Sequence, residues 1–285
     1  MIRYIENEKL IVGVKDFGCE ITSIKSKATG YEFMWQGNPD IWGGQAPILF
    51  PIIGRLIDDK YTLDGKEYDM LKHGFARKMP WEFIGADNNS ISFRLSDTDD
   101  TRKIYPYEFD LTVTYTLDGD TLCVSHDIKN KNDAVMYFSI GAHPAFNCTI
   151  GDVLSFDENE TISTEKIDLE KSLRLPDKTP LLNDEKNIII TKDIFNEDAL
   201  ILSGFKSDNI TLNLAEGNRK IVFNLGKAPY LGIWAKPGAP YVCIEPWYGV
   251  NDSQIKKDDF SDKVGINALN SDSVFNFTWK AEFVE

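Results

Sequence analysis

The sequence predicts an all-β fold, a large sandwich of antiparallel sheets, and three observations carry that reading. Apolar and polar residues alternate with period two in run after run, Gly, Asp, Asn and Pro punctuate the gaps between runs, and no heptad or long amphipathic helix interrupts them. Successive side chains of a strand point to opposite faces, so this alternation marks sheets with one buried face. All-β architectures of about 200 to 250 residues are commonly one domain. The chain is therefore read as a single domain over 1–285.

The elements follow in order. Residues 9–14 read as a first strand, with Leu10, Val12 and Val14 on one parity, and a second strand surrounds Ile21 and Ile24. Ala28-Thr29-Gly30 turns the chain into a run at 31–35. The glycine- and proline-rich segment 43–56 suits a buried loop in close contact with its surroundings, and its one charge, Arg55, needs a partner such as a salt-bridging acid. Residues 61–68 form a hairpin by their Asp64-Gly65 turn. Strands are expected at 81–84 and 91–95, then at 109–117, where Phe109, Leu111, Val113, Tyr115 and Leu117 share one face. The return strand carries Leu122, Val124, His126 and Ile128 on one parity, which makes His126 a structural, hydrogen-bonded histidine on an apolar face. Residues 151–200, rich in Asp, Glu and Lys, read as an irregular excursion of loops and short strands. Strand-like runs at 210–214, 221–225 and 230–234 follow, and 275–283 returns to strict alternation.

Composition excludes several functions. The net charge of −14 repels phosphate backbones and anionic membranes, so neither nucleic acid nor a membrane is an expected partner. The four cysteines are scattered without Cys-x-x-Cys or Cys/His metal spacing, and are read as free thiols. No signal-like or membrane-length apolar run is present, which leads to an expected cytoplasmic location. There is no G-x-G-x-x-G opening a helix, no G-x-x-x-x-G-K-[ST], no H-E-x-x-H and no G-x-S-x-G. With three histidines a His-rich metal centre is not expected, although an all-carboxylate Ca²⁺ site stays open.

Two segments concentrate chemistry. In Gly141-Ala142-His143-Pro144-Ala145-Phe146-Asn147, the proline holds His143 on extended backbone. In Ile244-Glu245-Pro246-Trp247-Tyr248, a carboxylate stands in the same position before a proline. A titratable imidazole and a carboxylate are complementary proton donor and acceptor. Lys72-His73-Gly74-Phe75-Ala76-Arg77 adds a second histidine flanked by bases. Aromatic faces beside Arg, Asn and carboxylates are a common way to hold a sugar, although Trp42, Trp81, Trp234 and Trp247 taken singly read as core packing.

The segments PILFPIIGRL, DGKEY, KHGFAR, GAHPAFN and IEPWYGVND resemble the aldose 1-epimerase (galactose mutarotase) family, most of all its LacX-like branch, over about residues 5–283. The resemblance implies a galactose mutarotase-like β-supersandwich of large antiparallel sheets and a cofactor-free enzyme acting on a small-molecule sugar. It implies that His143 is the general acid and Glu245 the general base interconverting the α and β anomers of a free aldohexose. His73, Arg55, Asp198, Arg77 and Trp247 would bind the sugar. Mutarotases proper carry Asn-Arg where this chain has Gly54-Arg55, which bears on sugar preference more than on chemistry. Two alternatives stand beside this: a hexose-6-phosphate 1-epimerase using Arg77 with Lys72 and Lys78, and a non-catalytic sugar-binding protein. A glycoside hydrolase would want two carboxylates rather than His plus Glu.

Overall fold

The computed structural model describes residues 1–285. One fifteen-stranded sheet takes up most of the chain and three small sheets flank it. Its neighbouring strands run antiparallel. The alternation seen in sequence becomes literal burial: Phe109–Asp118 and Thr121–Asn130 bury every second residue. Register places Leu122 opposite both Leu117 and Ala281, and Val124 opposite both Tyr115 and Trp279, so apolar rows cross three strands. Each such side chain taken from water contributes about 1.5–3 kcal/mol, and 69 buried apolar residues form one contiguous core.

The hairpin Lys60–Leu63/Lys66–Asp69 turns through Asp64 and Gly65, both at positive φ, as its Asp-Gly pair predicts. Three readings change. The first strand is Ile2–Glu6, ahead of Leu10–Lys15, and only Ile5 in it is buried, so its apolar signal is faint. Residues 31–35 make isolated bridges from Glu32 and Met34 rather than a strand. The excursion at 151–200 is dominated by two long paired strands, Val153–Ile167 and Arg174–Ile189. Arg174–Ile189 is largely exposed on both faces, so charge is tolerated on either parity there, and in Val153–Ile167 the inward parity is interrupted by Glu158 and Glu160, so the period-two signal is lost. Where it meets the body, buried Glu160 accepts hydrogen bonds from the Lys206 and Ser207 N–H groups and from Ser207 Oγ at 2.8–3.0 Å.

His126 is buried as expected and stacks on Phe277 with ring centroids 5.1 Å apart, but its Nδ1 has no partner. Burial pushes its pKa down to about 4. Below its ordinary value of 6.5 the unfolded chain binds a proton here that the folded chain refuses, so stability falls as pH falls towards 4. Between pH 7 and pH 5, His126→Leu is expected to lose about 2 kcal/mol less stability than the parent protein. Urea unfolding at the two pH values measures this, and equal losses would refute it.

The strand Tyr241–Tyr248 is buried along nearly its whole length. Tyr230–Trp234 pairs with one edge, and both Ile140–Ala142 and Ala145–Asn147 pair with the other. That arrangement builds the site.

Candidate active site

Pro144 has no N–H to give a ladder, and here it splits one strand into two pieces that share a single register. Gly141 lies opposite Trp247 and Ala145 opposite Cys243. The same register carried through the break sets His143 opposite Glu245, and the two side chains meet with Nε2 to Oε1 at 3.2 Å. The Trp247 indole N–H donates to the other carboxylate oxygen, Oε2, at 3.2 Å. The Trp247 ring in turn lies over Gly232 on the neighbouring strand, where a Cβ would press into the indole.

These groups form the floor of a cavity of about 500 Å³. Trp42 stacks on His143 at 5.2 Å, and Trp234 meets Trp42 edge-on at 5.4 Å. His73 stands 6.0 Å from His143, ring edge to ring face. Gly54 and His73 bond reciprocally: the Gly54 N–H donates to His73 Nδ1 at 3.1 Å, and the His73 N–H donates to the Gly54 carbonyl at 2.8 Å. An Nδ1 that accepts leaves the proton of the neutral ring on Nε2, so His73 is a donor at its other nitrogen.

Burial dominates the electrostatics. It pushes His143 down to about 3 and Glu245 well above its ordinary range. His73 is held neutral by burial and then by the nearby His143, Lys72 and Arg77. The opposite charge of a carboxylate favours a protonated His143, but one carboxylate in this dry site does not offset the loss of hydration. Both shifts favour the neutral arrangement of the pair's proton, imidazole with carboxylic acid. Moving that proton from oxygen to nitrogen gives the imidazolium–carboxylate form without changing the net charge.

Of the sugar-site residues expected from sequence, His73, Arg77, Asp198 and Trp247 line the cavity with His143 and Glu245. Asp198 comes from the turn before Leu200–Ser203 at positive φ, its Oδ1 accepting from the Ala199 N–H at 2.8 Å. Arg55 is not brought to the wall: it makes a two-pronged pair with Asp59 at 2.6–2.7 Å, the salt-bridge alternative for this residue. Lys72 lines the cavity and Lys78 does not. Arg77 is held by a hydrogen bond from Nη2 to the Lys72 carbonyl at 2.8 Å, while its buried Nε has no partner.

Trp42 and Trp234, which read as core packing, are cavity walls, and Lys236 and Asn251, which no motif in the sequence marks, join them. Of the four tryptophans read as core packing, only Trp81 stays out of the cavity, its indole N–H donating to the Ala76 carbonyl. The turn of the long ribbon also reaches the rim through Leu169 and Ser172. Nothing local in sequence separates a cavity tryptophan from a core one, because both are largely buried.

Fold and site together define an antiparallel β protein with a buried imidazole–carboxylate pair at the base of an aromatic-walled cavity. The family described as aldose 1-epimerase matches residues 2–260, and the chain belongs to it. It is 33% identical over 280 residues to the plasmid-encoded protein LacX of Lactococcus lactis subsp. lactis, covering 93% of each chain. The solved structure of a galactose mutarotase related enzyme from Lactobacillus acidophilus superposes with a TM-score of 0.95 at 33% identity, over 100% of this chain and 98% of that one. A galactose mutarotase-like protein from Lactobacillus casei gives 0.94 at 28% identity, over 99% and 100%. The fold is the galactose mutarotase-like all-β fold. No helix is long and apolar enough to cross a membrane.

Proposed function

We propose that this protein interconverts the α and β anomers of a free aldohexose by opening and closing the sugar ring. The observation that carries the reading is the 3.2 Å contact between His143 Nε2 and Glu245 Oε1 on the floor of a tryptophan-walled cavity. A bound sugar brings hydroxyls into the dry site and favours the imidazolium–carboxylate form of the pair. Glu245 then takes the proton of the anomeric hydroxyl while His143 gives its proton to the ring oxygen. The C1–O5 bond breaks and C1 becomes an aldehyde. Rotation about C1–C2 presents the other face, and return of both protons closes the ring to the other anomer. The His73 Nε2–H, Arg77 and Asp198 are assigned to sugar oxygens and hydroxyls, and Trp42, Trp234 and Trp247 to the apolar C–H faces.

The test is polarimetry on freshly dissolved α-D-glucose and α-D-galactose, where the protein should speed the approach to equilibrium. No acceleration of any free hexose would sink the reading and leave a sugar-binding protein in its place. The pH profile tests the proton inventory. His143 is pushed down to about 3, so a second proton reaches the pair only far below the ordinary histidine value of 6.5. Glu245 is pushed up, so the shared proton persists well above the ordinary 4.5. The rate constant kcat/KM is therefore expected to show no acid limb near the ordinary histidine value. An acid limb near 6.5 would contradict a neutral resting pair.

One observation favours a second substrate. Lys72, Arg77 and Lys236 all reach the cavity wall of a chain whose net charge is −14. Such a cluster suits the dianion of a hexose 6-phosphate. Arg55 does not join it. Turnover of glucose 6-phosphate with a kcat/KM above that of glucose, lowered by Arg77→Ala for the phosphate alone, would establish this substrate.

A further inference from the structure

We infer that His143, Cys243 and Glu245 form a binding site for a borderline-soft divalent cation, with zinc as the best match. The ligand atoms of these three buried side chains lie within 4.8 Å of one another, the one group of His, Cys, Asp and Glu side chains gathered in this way. Cys243 and Glu245 sit two residues apart on the strand Tyr241–Tyr248, which puts both side chains on one face. Cys243 is paired with Ala145, and His143 stands two residues before Ala145 on the same side of the strand.

The donor set is chemically selective. Imidazole, thiolate and carboxylate are the three side-chain ligands of zinc, whereas magnesium and calcium want oxygen alone. Tetrahedral zinc, with metal–ligand distances of about 2.0–2.3 Å, holds its donors about 3.3–3.6 Å apart. His143 and Glu245 already stand 3.2 Å apart, so the change required is an approach of the sulfur by at most about 1.5 Å. Trp247 donates to Glu245 Oε2 and leaves Oε1 for the metal, as an outer-shell donor does for a ligating carboxylate. Three protein ligands leave the fourth position for water on the cavity side, where His143 and Glu245 are open to it.

Binding makes one Zn–N, one Zn–O and one Zn–S bond. It releases to solvent the thiol proton and the proton shared by His143 and Glu245, so the dication with thiolate and carboxylate forms an electrically neutral centre. A metal held there occupies both proton-transferring groups. On the mutarotase reading, and resting on it, zinc is then a reversible inhibitor competing with sugar.

The test starts from chelator-stripped protein, with equilibrium dialysis against ZnCl₂ and absorption spectra with CoCl₂. One zinc per chain is expected, together with a near-ultraviolet thiolate-to-cobalt charge-transfer band. Cys243→Ala should abolish the band and weaken zinc by at least about 10- to 100-fold, the range for loss of even an outer-shell partner. Cys123→Ser, at the one cysteine that is not buried, should change neither. If Cys243→Ala does not fold, Glu245→Gln reads the same site and should weaken zinc by a similar factor. Absence of stoichiometric zinc, a band that survives in Cys243→Ala, or wild-type zinc affinity in Glu245→Gln would each overturn the site. In the polarimeter, Cys243→Ala should turn over sugar close to the wild-type rate and lose its zinc sensitivity. Failure of all mutarotation leaves the dialysis and spectra unaffected, so the two readings fail separately.

Discussion

Replacing either His143 or Glu245 with alanine is expected to lower kcat for mutarotation by about 10²- to 10⁴-fold, with KM changing far less. The size follows from what each group is assigned: one positioned proton transfer, or about 3–5 kcal/mol of barrier at 1.36 kcal/mol per decade. The direction in kcat rather than KM follows because the protons move only as the ring opens. The double variant should be little worse than the worse single one, since the two residues act as one unit sharing one proton. Stability is not expected to collapse, because burial holds both side chains neutral and removal of one leaves no stranded charge. Stopped-flow polarimetry with circular dichroism on the same samples decides. A folded Glu245→Ala protein within about threefold of the wild-type rate would remove Glu245 from the chemistry.

Gly54→Ala is expected to cost about 2–5 kcal/mol and to damage the cavity as well. Gly54 sits at φ +67°, in the left-handed region where a side chain is strained, and an added Cβ would overlap the Cβ of Asn251. Asn251 has little room to retreat. It is buried, its Nδ2 donates to the Ser172 carbonyl at 3.1 Å, and its own carbonyl accepts from Arg174 Nε at 2.8 Å. Arg174 is in turn paired with Glu165 at 2.7 Å at the turn end of the long ribbon. A shift at position 54 would also disturb the N–H that fixes the tautomer of His73. Urea denaturation should register the stability loss, and sugar affinity should fall with it. A Gly54→Ala protein of wild-type stability and affinity would show that Asn251 yields freely.

Much of the fold was legible because sheet burial imposes a period on the sequence. Phe109–Asp118 and Thr121–Asn130 each bury one face and expose the other, and their side chains alternate accordingly. The ribbon Val153–Ile167/Arg174–Ile189 was not legible as two long strands, because Arg174–Ile189 is exposed on both faces and imposes no such period, and the inward parity of Val153–Ile167 carries Glu158 and Glu160. The site was legible in part. His143-Pro144 and Glu245-Pro246 stood out as titratable groups fixed on extended backbone, and His73, Arg77, Asp198 and Trp247 do reach the same cavity. Arg55 illustrates the limit. A lone charge in an apolar loop signals a need for a partner, and whether a substrate or a carboxylate meets that need depends on where Asp59 lies.

The sequence by itself therefore determined the class of fold, the two proline-held titratable groups and the family, since each rests on residue type and local spacing. Tertiary structure alone decided that His143 and Glu245 are opposed across one strand register, that Trp42 and Trp234 are walls rather than core, and that Cys243 joins the pair from beneath. It also decided the direction in which burial shifts both groups of the pair. Hydration lost by burial is a property of everything packed around a group, and no stretch of sequence carries that sum.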